Sequence, residues 1–396
     1  MRVLVVHNRY RSQSPSGENA AVEHEVSLLR SAGHEVATHV EDSDTIRSPL
    51  GYASAALGPI YSPGGVRRFR ASLSAADPEV VHFHNVFPLV GPASVRAAGE
   101  AGVAVVHTVH NYRHSCVNGL HFRDGHACTD CLGTRWNQPA VQHGCYRDSR
   151  LQSVPMAVGM ALHNGTWRDD VDAMISLTPF MTRRLLGLGI HEERLHTRAS
   201  WVPDPGYPAT IPGSDYLFLG RLDEAKGIRL LLDAWRHPPQ APGRALRIAG
   251  DGPLRAEVEA ASARDDSLTY LGSLTHSAVA AELRACAAVI LPSLWFEGYP
   301  LVVAEARAHG RPVVTVSGGA AESIVSPDSG WVCEPSAARL GRTLGCLKDS
   351  EIAARGQRAR DLYEVENSPA TALRSLERIY QEAVEVSTRN GANEDH

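Results

Sequence analysis

The chain has 396 residues, enough for two domains of ordinary size, and its 43% hydrophobic and 21% charged content is that of a globular protein with a substantial core. A formal net charge of −5 argues against a nucleic-acid binder, which carries a strong basic excess. The N-terminal apolar run Val3–Val6 is too short for a signal peptide or a membrane span, and seven cysteines form an odd number without a secretory signal. We therefore expect a cytoplasmic protein with no transmembrane segment, reaching any membrane only peripherally, whose thiols are reduced or metal-bound.

Val3–Val6 is apolar at every position, the pattern of a strand buried on both faces of a parallel sheet. The loop that follows ends at Gly17, where a glycine lets the chain approach a ligand, and Glu18 opens a helix predicted over Glu18–Ser31. Val22, Val26 and Leu29 fall on one face of it, and Gly33 stops it. Arg67, Arg68 and Arg70 give a basic helix face, read as a solvated surface with contact to an anionic membrane or acceptor as the alternative. Two further strands end in histidines, His82 and His84 in VVHFHN and His107 and His110 in VVHTVHN. An irregular insert, 111–150, holds four of the seven cysteines.

The strand–helix alternation restarts near Asp215, after Pro203, Pro205, Pro208 and Pro212, whose density resists helix and sheet alike. Tyr216–Leu219, Val289–Leu291 and Val313–Val316 are again all-apolar runs. The pattern predicts an α/β protein of two Rossmann-like, doubly wound parallel-sheet domains, 1–205 and 213–365, followed by 366–396. The last segment reads as an amphipathic helix over Ser368–Val386, with Leu373, Leu376, Ile379 and Tyr380, and a polar end from Ser387 to His396. Open parallel sheets bind ligands beyond the carboxyl ends of their strands, so two such edges can face one cleft.

In the second domain, FLGRLDEAKG places Gly220, Arg221 and Lys226 at the first strand end. A guanidinium fork and an ammonium suit a diphosphate, or else both are solvated cations paired with Asp223 and Glu224. WFEGYPLVVAEARAHG then follows a second apolar strand. Pro300 is well placed as the first helical residue, and the amides just after it form an anion site with the helix dipole. Glu297 and Glu305 flank that site, either reaching neutral hydroxyls or serving as ordinary helix acids. A dinucleotide fingerprint fails, because Arg255 stands where Gly250-Asp-Gly252 would need a third glycine.

GRLDEAKG, GDGPL at Gly250–Leu254, two glutamates separated by seven residues in EGYPLVVAE, and SGGAAESI at Ser317–Ile324 together resemble the retaining GT-B glycosyltransferases, family four of the carbohydrate-enzyme classification. The resemblance implies the GT-B fold, with the C-terminal helix crossing back to the N-terminal domain. It implies a sugar transferred from a nucleotide diphosphate to an acceptor hydroxyl, with retention and without a metal. Donor contacts would come from Gly220, Arg221, Lys226, Gly298, Tyr299, Pro300, Leu301, Val302 and Glu305, and catalytic ones from Glu297 and from His110 in Thr108-Val109-His110. Gly17 and Glu18 would border the acceptor, which the sequence leaves open among a sugar, a lipid-linked sugar and a natural product. His82, His84 and His107 read as satisfied strand-end histidines.

Cys116, Cys128, Cys131 and Cys145 have eleven, two and thirteen residues between them, and the CxxC spacing lets two thiolates reach one tetrahedral ion. A structural zinc is expected, beside unligated cysteines or disulfides as alternatives, and the insert resembles one in a subgroup of the same family. No cofactor is expected for catalysis itself. A nucleotide-sugar epimerase of GT-B type and a catalytically silent nucleotide-sugar-binding partner are the rival readings.

Overall fold

The computed structural model describes residues 1–10, 17–206, 213–236 and 244–394. The expected loop over 11–16, Pro208 and Pro212 lie outside the described residues. By its internal contacts the chain divides into two units, one of Met1–His121, Thr129–Arg198 and Leu373–His396, the other of Phe122–Cys128 and Ala199–Ala372.

The first unit is built on a six-stranded sheet of β1 (Arg2–Arg9), β2 (Glu35–Asp42), β3 (Val80–Phe83), β4 (Ala104–Val109), β7 (Ala173–Ser176) and β8 (Leu195–Thr197). β5 (Phe122–Arg123) and β6 (His126–Ala127) form a separate antiparallel hairpin in the insert. The strand order is β2-β1-β3-β4-β7-β8 and every pairing is parallel. The central strands read as unbroken apolar runs because helices cover both faces. On one face the helix Gly17–Ser31 presses Val22, Val26 and Leu29 onto Val3, Val5, Val80 and Val106. The last helix, Pro369–Glu394, adds Leu376, Ile379, Tyr380 and Ala383 to that same core. It runs eight residues beyond the predicted Val386, to Glu394.

The second unit repeats the plan with β9 (Asp215–Leu219), β10 (Leu246–Ala249), β11 (Leu268–Gly272), β12 (Cys286–Leu291), β13 (Val313–Val316) and β14 (Gly330–Cys333). Their order is β11-β10-β9-β12-β13-β14, again all parallel. Tyr216, Phe218, Ile228, Leu231, Trp235 and Ile290 form the core of one face, and Leu217, Val289, Leu291 and Val303 that of the other. Strand order reverses beside β1 and β3 in the first sheet and beside β9 and β12 in the second. At such switch points the neighbouring connections leave on opposite faces and open a crevice at the strand ends.

Candidate active site

At the switch point of the second unit, two loops come together. Gly227 has a φ of +72° and its Cα lies against the carbonyl of Pro292, so no side chain fits between the Lys226 loop and the end of β12. That approach brings Lys226 Nζ to 2.6 Å from Glu297 Oε1, with Ser293 Oγ donating to the same oxygen at 2.7 Å. The ammonium also stands 5.4 Å from the centre of the Trp295 ring. Glu297 is buried, and Lys226 supplies its charge partner. Arg221 is exposed and pairs with Asp223, as the plainer sequence reading held for it, whereas Lys226 turns to Glu297 and not to Glu224.

The helix after this loop spans Leu301–Ala308, so Pro300 is its cap and not its first residue. No side chain caps the helix, which leaves the first amides open toward the loop. Gly298 and Tyr299 lead into it, and Tyr299 buries its ring. Asn367 Nδ2 donates to the Tyr299 hydroxyl at 2.7 Å and to the Ser200 carbonyl at 2.6 Å. Tyr299 therefore anchors the helix start through its side chain, leaving only its backbone for a ligand. Leu301 is half-buried and Val302 buried. Burial raises the carboxyl pKa of Glu305, partly offset by the charge of His276, and none of the hydrogen bonds among the described residues engages that carboxylate.

The switch point of the first unit holds a histidine cluster that sequence reasoning largely left as packing. A small crevice there is lined by Glu18, His84, His110, Arg113, His114 and Trp167, among others. His110 Nε2 lies 2.8 Å from His84 Nδ1. On its other side His84 Nε2 faces Glu25 Oε1 at 3.3 Å, and His82 Nδ1 faces the same oxygen at 3.1 Å. Glu25 is buried on the helix Gly17–Ser31 and pairs with the buried Arg198. Burial would raise the pKa of Glu25, but Arg198 and His82 outweigh it and hold it well below the usual carboxylate range.

An ionised carboxylate can only accept hydrogen bonds. If His84 carries its proton on Nε2, toward the Glu25 carboxylate, its Nδ1 accepts from His110 Nε2–H and Nδ1 of His110 keeps its lone pair. Burial and the neighbouring histidines depress the pKa of His110 well below that of a free imidazole, and that of His84 to about 3, so both are neutral at pH 7. Glu25, His82 and His84 are also the one group of three ligand-type side chains close enough to share an ion among the described residues. Glu25 is already paired with the Arg198 guanidinium, and that charge disfavours a second cation. Glu25 and Arg198 were not legible as site residues; only the acid on an otherwise apolar helix face signals Glu25.

Glu18 lies against the same crevice. Tyr10 Oη donates to its Oε2 at 3.2 Å, and burial lifts its pKa to about 7 despite the charge of Arg113. Arg113 itself lies 5.8 Å from the Phe87 ring centre. Gly17 is the first residue of its helix and is exposed. His107 is a packing histidine, stacked on Trp167 at 4.8 Å. In the insert, Cys116 is buried and its thiol donates to Asn118 Oδ1 at 2.9 Å. The division into units runs through this insert, with Cys128 in the second unit and Cys116, Cys131 and Cys145 in the first.

Two family models match the chain, "Glycosyl transferase 4-like domain" over residues 16–201 and "Glycosyl transferases group 1" over 213–347. The chain is a group 1 glycosyltransferase of GT-B fold. This glycosyltransferase is 24% identical to the phosphatidyl-myo-inositol mannosyltransferase of Mycolicibacterium smegmatis, over 98% of this chain and 96% of that one. It is 29% identical to the 2-deoxystreptamine glucosyltransferase of Streptomyces kanamyceticus, over 41% of this chain and 45% of that one. In fold it is similar to sucrose-phosphate synthase from Thermosynechococcus elongatus, with a TM-score of 0.66 at 18% identity, covering 96% and 98% of the two chains. It is likewise similar to Anabaena HepE, solved with UDP and glucose, with a TM-score of 0.63 at 13% identity, covering 96% and 98%. No helix of the described residues is long and apolar enough to cross a membrane.

Proposed function

We propose that this glycosyltransferase moves a hexosyl group from a nucleoside diphosphate to an acceptor hydroxyl, with retention and without a catalytic metal. The observation that carries the reading is the Lys226–Glu297–Ser293 cluster at the β9/β12 switch point, beside an uncapped helix start. Breaking the sugar–phosphate bond builds negative charge on the leaving diphosphate. Arg221, Lys226 and the amides of Leu301 and Val302 are donors aimed at such charge. Glu305, whose raised pKa keeps it a strong acceptor when ionised, takes the ribose hydroxyls. Glu297 contacts the sugar or its phosphate while Lys226 holds its charge. The leaving phosphate assists deprotonation of the acceptor on the same face of the sugar. His110, with Nδ1 open, accepts from a sugar hydroxyl, and His84 and Glu25 fix its orientation.

Neutral His110 suits this role better than that of a cationic acid. A panel of nucleotide sugars, read by thermal shift and by NMR of the product anomer, tests the reading. Stabilisation by one nucleotide sugar, transfer with retention, and loss of transfer but not of diphosphate binding in His110→Ala are expected. Inversion, or an epimerised sugar in the absence of acceptor, would overturn it. The four insert cysteines, which do not form a group close enough to share one ion among the described residues, stay proposed as structural zinc ligands on their sequence spacing alone. Elemental analysis of untagged protein should give about one zinc per chain; metal-free folded protein ends that part.

A further inference from the structure

The helix Pro49–Leu57 is anomalous. Its sequence, PLGYASAAL, contains no charge, yet Ala55 is its one buried residue. Leu50 is 84% exposed, and Tyr52, Leu57 and the following Tyr61 are exposed as well. Leu50 and Leu57, seven apart, share one helix face. Beside it lies the helix Arg150–Leu162, fixed by two contacts. Gly159 abuts the Pro59 carbonyl, where a side chain would clash, and His163 Nε2 donates to the Ile60 carbonyl at 2.8 Å. This helix exposes Leu151, 81% accessible, with Val154 and Leu162, at spacings that put all three on one stripe. Twelve large hydrophobic residues are exposed among the described residues, and seven of them lie on these neighbouring segments. Soluble surfaces rarely concentrate apolar side chains in this way without a partner.

The surrounding charge says which partner. From Thr45 to Ala76 the sequence has four arginines and no acid, and from Ser149 to Trp167 one arginine and no acid, Arg168 being paired with Asp169. The chain as a whole is acidic, at −5. Arg68 and Arg70 reach Glu41 and Glu100, whereas Arg47, Arg67 and Arg150 are exposed and make no ion pair among the described residues. Asp44, Asp77, Asp148, Asp169 and Asp170 flank these stretches in sequence. A second copy docked on the same patch about a two-fold axis would bring arginine against arginine. A lipid surface matches both features, since acyl chains take the leucines, the interface takes the tyrosines, and anionic headgroups take the arginines.

We propose that these two helices form a docking surface for the headgroup layer of an anionic phospholipid bilayer. The test is flotation of the full chain with vesicles of phosphatidylcholine alone or mixed equally with phosphatidylglycerol. Binding to the anionic vesicles, weak binding to the neutral ones and loss at high salt are expected. Leu50→Asp with Leu151→Asp, each in the first turn of its helix where an acid is tolerated, should lower partitioning about ten-fold or more. Arg67→Glu with Arg150→Glu should do the same on anionic vesicles only. Thermal unfolding and diphosphate binding should be unchanged in all four substitutions. No flotation of the wild type, equal flotation with neutral vesicles, or concentration-dependent self-association abolished by the same leucine variants would overturn the proposal.

Discussion

Lys226 and Arg221 follow the same strand end at Leu219, yet their surroundings differ enough to separate their roles experimentally. Arg221 is exposed, so Arg221→Ala should cost only a charge-assisted contact to the diphosphate, about 1.5–3 kcal/mol. Lys226 also neutralises the buried Glu297 at 2.6 Å, so Lys226→Ala should lose binding and also about 2 kcal/mol of stability. Calorimetry with a nucleoside diphosphate and thermal unfolding check both; equal melting temperatures for the two variants would contradict the geometry. Glu18 gives a pH signature. An unfolded Glu ionises near 4.5, while here the proton is held to about 7. Between those values the folded state binds more protons than the unfolded one, so stability falls as pH rises across the window. Glu18→Gln should flatten that decline, by roughly 2–3 kcal/mol between pH 5 and pH 8. Unfolding curves across this range measure it, and an unchanged slope would show that Glu18 titrates normally.

The elements that sequence makes legible are those whose burial leaves a periodic trace. β1, β9, β12 and β13 are hydrophobic on both faces, and the helix Gly17–Ser31 shows one apolar stripe. Loop motifs dense in glycine and charge pointed to the β9 and β12 ends for the same reason. Contacts between distant residues leave no such trace. Arg198 and Glu25 meet across 173 positions, and the Asn367 side chain fixes Tyr299 across 68. The histidines were visible at their strand ends, but the order in which they connect depends on register between β3 and β4. Gly227 joins both kinds of information, being a motif residue whose need for glycine only the packing explains. Gly227→Ala would strain a left-handed backbone and push the Lys226 loop off the Pro292 carbonyl. A loss of about 1–3 kcal/mol is expected, with diphosphate affinity falling in parallel. Gly33, also left-handed but with open space around it, is the control and should lose less and bind normally.

At the scale of the whole chain, the last helix is the feature that ties sequence order to stability. Its residues from Leu373 belong to the unit formed by the N-terminus, so the core against the first sheet is incomplete until the end of the chain has been made. Leu376, Ile379 and Tyr380 are fully buried against Val3, Val5 and Val106. Tyr380 Oη also meets His82 Nδ1 at 2.8 Å, which links the helix to the Glu25 network. Burying three such side chains contributes roughly 5–8 kcal/mol, comparable with the net stability of a domain. Ending the chain after Ala372 should therefore unfold the first unit while the second keeps its own sheet and cores. Limited proteolysis of the truncated protein should leave a resistant fragment containing 213–365 and digest 1–198. Because Arg221, Lys226 and Glu297 all lie in the second unit, that fragment should still bind a nucleoside diphosphate while transferring no sugar. A truncated chain whose first unit resisted protease as well as the full one does would show that the helix is an accessory to a sheet already stable without it.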